Sequence, residues 1–305
     1  MSIKLVGVIV TLTPLVLLAA MVFALRQRLI VGLFAWTMHA AFWLVFVHLF
    51  SSHFMPWYWI GDTGRLAFTI IAVLVVVFCY CSQSHNDWFP VGWFWNSVVL
   101  ASLLGCVLWG HIWLSATADA HIDLDSPIKG ARYYVVQGGN SRLTNHHHPD
   151  PVQRHAVDMV VIGDDGKRAR SLYPSELGGF FSFNYPVTAP CAGVVRAAFN
   201  GLEDLQPGHT DVQNLAGNHV LIACDKFFVL LAHLKKEPSP LLKIGDSVEL
   251  GQLVGHIGNT GNTTEPHLHM HVVIGANEGD AAFPLSGVGV PFTINNRKMT
   301  RGKFD

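Results

Sequence analysis

The uneven distribution of charged side chains is the feature that most constrains the fold of this 305-residue chain. Charged residues make up 13% of the sequence, whereas a typical soluble protein has about 25%. Only six of them precede Asp119, and long apolar stretches fill the same part of the chain. We therefore predict a membrane-embedded N-terminal part that is followed by a water-soluble C-terminal part.

Four apolar stretches are long enough to cross a lipid bilayer, which takes about 20 residues in a helix. No small-residue cleavage signal follows the first one, so we interpret it as a retained helix rather than a signal peptide. Aromatic side chains near the span ends, such as Trp57, Tyr58 and Trp59, are typical of the membrane interface. The four predicted spans are Leu5–Leu25, Leu29–Phe50, Leu66–Gln83 and Gly92–Leu114.

Four spans place the N-terminus and the C-terminal part on the same side of the membrane. The positive-inside rule does not choose that side, because the loop charges nearly balance. Arg26 and Arg28 favour a cytoplasmic first loop and external termini, whereas Lys4 and Arg65 favour the reverse. The charges alone leave the orientation open.

The C-terminal part has the pattern of an all-β domain. Short apolar or alternating runs, such as Phe227–Leu234, are separated by glycine-rich turns, and no long amphipathic helix is visible. We predict a small antiparallel sheet or sandwich. The chain then divides into a transmembrane helical region at 1–115, a linker at 116–129 and the β domain at 130–305.

A histidine-rich strand near the C-terminus carries the strongest chemical signal. In Pro266–His271 the histidines alternate with apolar residues and lead into Val272–Ile274. Successive side chains of a strand point to opposite faces, so His267, His269 and His271 share one face. Imidazole is the commonest metal ligand in proteins, and this strand therefore predicts a metal site.

Two segments farther upstream offer additional ligands. Asp158 lies in the alternating strand Ala156–Val161, where its neighbours are apolar. A carboxylate in such a strand requires a strong partner, and a metal ion is one. A run of three histidines, His146–His148, precedes it in a predicted loop. By itself, such a run is equally consistent with a solvated surface.

Five short elements of the C-terminal part follow one another in a characteristic order. They are Ala189–Val195, Gly217–Val220, Ala232–Leu234, Gly245–Gly261 and Pro266–His269. In order and approximate spacing they resemble the LytM/lysostaphin-type zinc metallopeptidases of bacterial cell walls, and the resemblance covers Gly130–Ile274. It implies the β fold of that family and one Zn²⁺ ion per chain.

The resemblance also implies roles for individual residues. His269 corresponds to the second histidine ligand of the zinc ion and Asp158 to its carboxylate ligand. His233 and His267 correspond to the two active-site histidines that do not bind the metal. Many members of the family carry a glutamate at the position of His271, whose role here stays open.

The first histidine ligand departs from the common family pattern. Its usual position, four residues before the aspartate, is occupied by Arg154, and His155 lies on the opposite strand face from Asp158. The sequence instead resembles a variant with Asn-x-His ahead of a short insertion. That variant implies His147 as the ligand, with the neighbouring His146 and His148 as alternatives.

Two imidazoles and one carboxylate suit zinc and leave a fourth position open for water. The resemblance implies hydrolysis of peptide bonds in peptidoglycan, with His267 as general base and His233 stabilising the transition state, or the reverse. The alternative is a non-catalytic family member that binds cell-wall peptide or regulates another hydrolase. A lipoyl- or biotinyl-carrier domain is excluded because the loop Gly258–Pro266 has no lysine.

The implied substrate predicts the location and the partners. A domain that cuts peptidoglycan must face the periplasm or the cell exterior, behind a multi-pass anchor in the bacterial cytoplasmic membrane. Cys191 and Cys224 can pair there, although free thiols are equally consistent with the sequence. The net charge of −1 gives no indication of a nucleic-acid partner. The expected partners are the peptidoglycan peptide and the lipid bilayer.

Overall fold

The computed structural model describes residues 57–81, 122–239, 241–276 and 285–302, together with single residues at 19, 22, 40, 43 and 44. These ranges contain one long helix, a short 3₁₀ turn at Leu177–Gly179 and a series of short strands. Apart from the single residues, three of the predicted spans lie outside the described residues: Leu5–Leu25, Leu29–Phe50 and Gly92–Leu114.

Helix α1 spans Trp57–Cys81 and overlaps the third predicted span, Leu66–Gln83. The helix is interrupted at Gly61, whose φ of 72° lies in the left-handed region that glycine adopts without a steric penalty. Within the described part of the chain, only Trp57–Val77 is long and apolar enough to cross a bilayer. Large apolar side chains along it are exposed, as in helices that face lipid. The described residues support one span rather than the predicted four.

The rest of the described chain is predominantly β structure, which confirms the predicted fold class of the C-terminal part. Each strand is short, and most follow a glycine or asparagine turn. In chain order the strands are β1 (Ile122–Leu124), β2 (Tyr133–Gln137), β3 (Val157–Val161), β4 (Pro186–Thr188), β5 (Gly193–Phe199), β6 (Asn218–Cys224), β7 (Phe227–Leu234), β8 (Ser247–Val248), β9 (Leu253–His256), β10 (Leu268–Ile274), β11 (Val288–Gly289), β12 (Phe292–Ile294) and β13 (Arg297–Lys298).

The main sheet has the spatial order β2-β3-β10-β7-β6-β5-β8, and β11 pairs with β10 beside this path. All its pairings are antiparallel. The histidine-rich β10 lies between β3 and β7, so its side chains have neighbours from both strands. This position brings predicted site residues of three strands together, namely Asp158 on β3, His269 on β10 and His233 on β7.

One face of the main sheet packs into the hydrophobic core, and the other carries the site residues beside two smaller apolar clusters. On β10, Leu268 and Met270 point into the core, and on β3, Val157 and Met159 do so. Burying each such side chain contributes about 1.5–3 kcal/mol, and a one-residue slip would exchange the two faces. The alternation predicted for both strands is confirmed, and it directs Asp158 and the histidines of β10 away from the core.

A smaller sheet differs from the expected domain division. Strands β1, β12 and β13 form it, and β1 pairs with β12 in parallel. Because β1 lies within the predicted linker, 116–129, part of that linker folds against the β domain. Leu124 and Ile128 from the same segment belong to the hydrophobic core. A strand of three residues is too short for its alternation to be visible in the sequence.

The two cysteines of the β domain form a disulfide. Cys191, in the turn before β5, is bonded to Cys224 at the end of β6, and their Cα atoms are 6.2 Å apart. Of the two states that the sequence left open, the structure has the paired one. The bond joins neighbouring strands of the main sheet on the side away from β3.

Candidate metal centre and active site

Strand register brings the aspartate and the second predicted histidine ligand together. Asp158 on β3 and His269 on β10 are direct cross-strand partners, so their side chains emerge side by side. His269 Nδ1 lies 2.9 Å from Asp158 Oδ1. Both residues are buried, with 5% and 3% of their surface exposed.

A second histidine that contacts the carboxylate comes from the loop before β3. His147 Nε2 lies 3.0 Å from Asp158 Oδ2 and 3.2 Å from Oδ1. This loop is held by Asn145, a fully buried residue whose Oδ1 accepts a hydrogen bond from the His147 N–H at 3.1 Å. The Asn145 amide nitrogen lies 3.1–3.2 Å from three backbone carbonyl oxygens, those of Gly139, Arg154 and Ala156.

The three candidate histidines of this loop occupy different environments. His146 packs its ring on that of His147, with 3.8 Å between centroids, and the ligand atoms of His146, His147 and Asp158 lie within 4.8 Å of one another. His146 is nevertheless exposed. His148 Nδ1 is buried without a hydrogen-bond partner among the described residues. Among these three, the ring that hydrogen-bonds the Asp158 carboxylate is that of His147.

The protonation states at this cluster suit a metal ion. Burial by itself would raise the pKa of Asp158, but the charge and hydrogen bonds of His147, together with His267 and His269, hold that pKa well below its usual range. Burial lowers the pKa of His269. An ionised carboxylate beside a neutral imidazole is the state in which both can bind a metal. Two nitrogen donors and one oxygen donor fit zinc with an open position.

Two further histidines flank the cluster with matching hydrogen bonds. His267 Nδ1 lies 2.9 Å from the Glu265 carbonyl oxygen, and His233 Nδ1 lies 2.9 Å from the Thr260 carbonyl oxygen. Because a carbonyl oxygen only accepts, Nδ1 must carry the hydrogen in both rings. In the neutral form of such a ring, Nε2 is then an acceptor. The Nε2 atom of His267 lies 3.8 Å from Asp158 Oδ1.

His233 is also held in an unusual backbone conformation. It is the penultimate residue of β7 and has a φ of 60°, which is uncommon for a residue with a side chain and costs conformational energy. Its ring centroid lies 4.8 Å from that of His267 and 5.7 Å from that of His269. Burial and the neighbouring charges of His267 and His269 lower its pKa well below the usual value. The ring is therefore neutral at physiological pH.

His271, whose role the sequence left open, lies behind His269, the second predicted histidine ligand. Its Nδ1 is 2.9 Å from Nε2 of His269. If His269 offers Nδ1 to a metal, its Nε2–H donates to His271, and this bond fixes the ring orientation of His269. Burial lowers the pKa of His271 well below its usual value. Its own Nε2 is buried without a hydrogen-bond partner among the described residues.

The structure thus brings together all five site residues that the sequence predicted: His147, Asp158, His233, His267 and His269. The residues that sequence reasoning missed are the ones that orient them, namely Asn145, Thr260, Glu265 and His271. Asn145 and His271 had a visible signal, because they belong to the Asn-x-His pattern and to the alternating histidine strand. Thr260 and Glu265 act through backbone carbonyls, and such contacts leave no residue-type signature.

Several solved structures are similar to parts of this chain. A zinc-containing peptidase from Vibrio cholerae is 21% identical over 50% of this chain and 36% of its own, with a TM-score of 0.31. The catalytic domain of the prophage-encoded M23 protein EnpA from Enterococcus faecalis is 19% identical over 54% of this chain and 92% of its own, with a TM-score of 0.32. The catalytic domain of lysostaphin from Staphylococcus simulans is 24% identical over 35% of this chain and 77% of its own, with a TM-score of 0.25. The chain therefore spans about a third of the length of the Vibrio cholerae protein.

A family model matches a central part of the β domain. Residues 180–281 match the model described as Peptidase family M23, whose members are zinc-dependent. The matched range includes His233, His267 and His269, while His147 and Asp158 precede it. The grouped ligand atoms of His146, His147 and Asp158 fit the zinc ion that this family uses. Residues 180–281 of this chain are therefore similar to Peptidase family M23.

Proposed function

We propose that this protein is a zinc metalloendopeptidase that hydrolyses peptide bonds in peptidoglycan stem peptides or cross-links. The observation that carries this proposal is the convergence of His147, Asp158 and His269, with His233 and His267 beside them, in a chain with a Peptidase M23 domain. A hydrolase of this type requires a metal site with an open position and a nearby proton acceptor. The cluster offers both.

We assign the metal to His147 Nε2, Asp158 and His269 Nδ1. When bound, zinc lowers the pKa of water and polarises the carbonyl group of the scissile peptide bond. Asn145 fixes the backbone of His147, and His271 fixes the ring of His269. These two contacts hold the ligands in place before the metal arrives, which reduces the entropy lost on binding.

We assign the proton transfers to the two flanking imidazole rings, those of His233 and His267. Each uses Nδ1–H to hold a backbone carbonyl and leaves Nε2 as an acceptor. We assign His267 to accept the proton of the attacking water, because its Nε2 lies near the Asp158 carboxylate. We assign His233 to the carbonyl oxygen: the negative charge that develops there favours uptake of a solvent proton at Nε2 of the neutral ring, and the resulting Nε2–H donates a hydrogen bond to that oxygen.

The location is part of the proposal. The Cys191–Cys224 disulfide supports an oxidising compartment, which agrees with a domain that faces the periplasm or the cell exterior. Candidate span α1 supports attachment to the bacterial cytoplasmic membrane. We retain the division into a membrane region at 1–115, a connecting segment at 116–129 and the peptidase domain at 130–305, with β1 of the connecting segment paired to that domain.

A return crossing follows if α1 spans the bilayer. The start of α1 is bound to the β domain through two backbone hydrogen bonds, of 2.7 and 2.8 Å. The end at Cys81 would then lie across the membrane, and the chain must cross back before Ile122. Gly92–Leu114 is the apolar stretch available for that crossing. With the stretches 5–25 and 29–50, it completes the proposed multi-pass anchor.

The test uses the full-length protein in lipid nanodiscs, loaded with zinc and incubated with purified peptidoglycan. Mass spectrometry of the released fragments should show loss of cross-linked peptides with the wild type and none with His147→Ala or His269→Ala. Cleavage that survives in His147→Ala but not in His146→Ala would move the ligand to His146. Bound zinc without any cleavage would contradict the proposal and favour a non-catalytic role that binds or regulates.

A further inference from the structure

The segment at the start of α1 lies against the peptidase domain rather than at a lipid interface. We call Tyr58–Asp62 the docking segment. The Tyr58 carbonyl oxygen accepts a hydrogen bond from the Arg168 N–H at 2.7 Å, and the Asp62 N–H donates to the Asp165 carbonyl oxygen at 2.8 Å. Gly61 fits against the same Asp165 carbonyl, where a Cβ atom would overlap it. The docking segment is thus fixed by backbone contacts on both sides of a glycine.

Arg168 connects this segment to the active site. Its side chain is only 2% exposed. The guanidinium carbon lies 3.5 Å from the centroid of the Trp59 ring, and Nε donates to Glu265 Oε2 at 2.9 Å. A buried guanidinium needs both its ion-pair partner and its packing partners, because water cannot replace them. The two contacts place one cation between the membrane helix and the loop that leads into β10.

Glu265 in turn holds a proposed catalytic ring. Its carbonyl oxygen accepts hydrogen bonds from His267 Nδ1 at 2.9 Å and from Thr263 Oγ1 at 2.8 Å. Pro266 lies between Glu265 and His267, and its fixed φ leaves the backbone between these two residues little conformational freedom. A displacement of the Glu265 side chain therefore moves the carbonyl that sets the tautomer and orientation of His267.

We propose that Arg168 is a positioning residue for His267 and that the docking segment holds Arg168 in place, so that the membrane part contributes to the active form of the enzyme. The proposal rests on the proposed function, since it uses the assignment of His267 to proton transfer. It predicts that changes in the docking segment, which does not touch the metal cluster, alter turnover.

The main variant is Trp59→Leu, which removes the ring beneath Arg168 and keeps an apolar side chain. The matched control is Trp57→Leu, because Trp57 is also buried and its ring packs on Phe68 of the same helix, 5.5 Å between centroids. Gly61→Ala is a second test variant that displaces the docking segment from Asp165 without changing any residue of the peptidase domain.

The first readout does not depend on activity. Hydrogen–deuterium exchange of residues 259–267 is measured by mass spectrometry on the full-length, zinc-loaded protein in nanodiscs. Exchange in this loop should rise in Trp59→Leu and in Gly61→Ala, and stay at the wild-type level in Trp57→Leu. Wild-type exchange in both test variants, or an equal rise in all three variants, overturns the proposal. This readout remains decisive even if the wild type cleaves no peptidoglycan, which would refute the proposed function alone.

The second readout separates positioning from general stability. In Trp59→Leu, kcat should fall between about tenfold and a hundredfold, as expected for a misplaced catalytic group, while KM and zinc content stay unchanged. In a His267→Ala background the same substitution should have no further effect on the residual rate, because the two changes act through one group. Independent, additive losses would refute the coupling between Arg168 and His267.

Discussion

Removal of the Asn145 side chain should weaken both the fold and the metal site, by amounts that the structure lets us estimate. The side chain is fully buried. Its amide group donates hydrogen bonds to backbone carbonyl oxygens at 3.1–3.2 Å, and its Oδ1 accepts a hydrogen bond from the His147 N–H at 3.1 Å. Asn145→Ala removes two donors and one acceptor, and each lost hydrogen bond costs about 1 kcal/mol. The expected loss of stability is therefore about 3 kcal/mol, or about 6–12 °C in Tm for a domain of this size.

The same substitution should reduce zinc affinity, because His147 then loses the contact that fixes its backbone. Loss of such a supporting contact costs about 10–100-fold in metal affinity. Zinc affinity is measured by competition with a chromogenic chelator on the full-length protein, and Tm by differential scanning fluorimetry with and without zinc. A bound ligand stabilises the folded protein by an amount that grows with the logarithm of the free ligand concentration divided by Kd. Because the variant should have a higher Kd for zinc, its Tm should rise less than that of the wild type when zinc is added.

Asn200→Ala is the matched control for this experiment. Asn200 follows β5, near the opposite edge of the main sheet, and exchanges two hydrogen bonds of 2.9 Å with the backbone of Glu237. This variant should lose stability but keep wild-type zinc affinity. The reasoning is refuted if Asn145→Ala binds zinc as tightly as the wild type, or if both variants lose affinity equally.

Three further predictions concern separate parts of the β domain. Cys191→Ser opens a bond to Cys224 that closes 33 residues of sequence, so unfolding stability should fall by about 3–4 kcal/mol; a Tm that does not respond to reductant in the wild type would contradict this. His271→Phe leaves the His269 Nε2–H without its acceptor and should lower zinc affinity about 10–100-fold, while His271→Gln, which keeps an acceptor, should lower it less. Burial lowers the pKa of His219 in the folded protein. The unfolded chain therefore binds a proton at His219 more readily than the folded protein does. The free energy of unfolding should decline as pH falls below about 6.5, the usual pKa of histidine. Denaturant titrations between pH 8 and pH 5 should show a flatter decline for His219→Gln, and equal slopes would refute it.

The shared strand faces of the proposed site residues could be predicted because strand alternation is a local property. The alternate spacing of His267, His269 and His271 predicts that they share one face of their strand. The same alternation predicts that Asp158 lies on the strand face opposite to that of Val157 and Met159. The sequence could not show that β3 and β10 are neighbours, since pairing depends on contacts between residues far apart in the chain. The register that opposes Asp158 to His269 is visible only in the folded sheet.

The docking segment illustrates a different limit of sequence reasoning. Trp57, Tyr58 and Trp59 next to an apolar helix have the composition of a membrane-interface belt, and we interpreted them so. In the fold, Tyr58 and Trp59 are buried in a cluster with Tyr134 and other side chains of the β domain. An aromatic side chain with a polar edge suits a lipid interface and a protein interface equally. The two cases differ only in the partner of the aromatic ring. Here that partner is Arg168, which lies 109 positions after Trp59 and shares no local sequence pattern with it. A membrane-proximal aromatic run therefore predicts burial at an interface, but the identity of the other surface has to come from the fold.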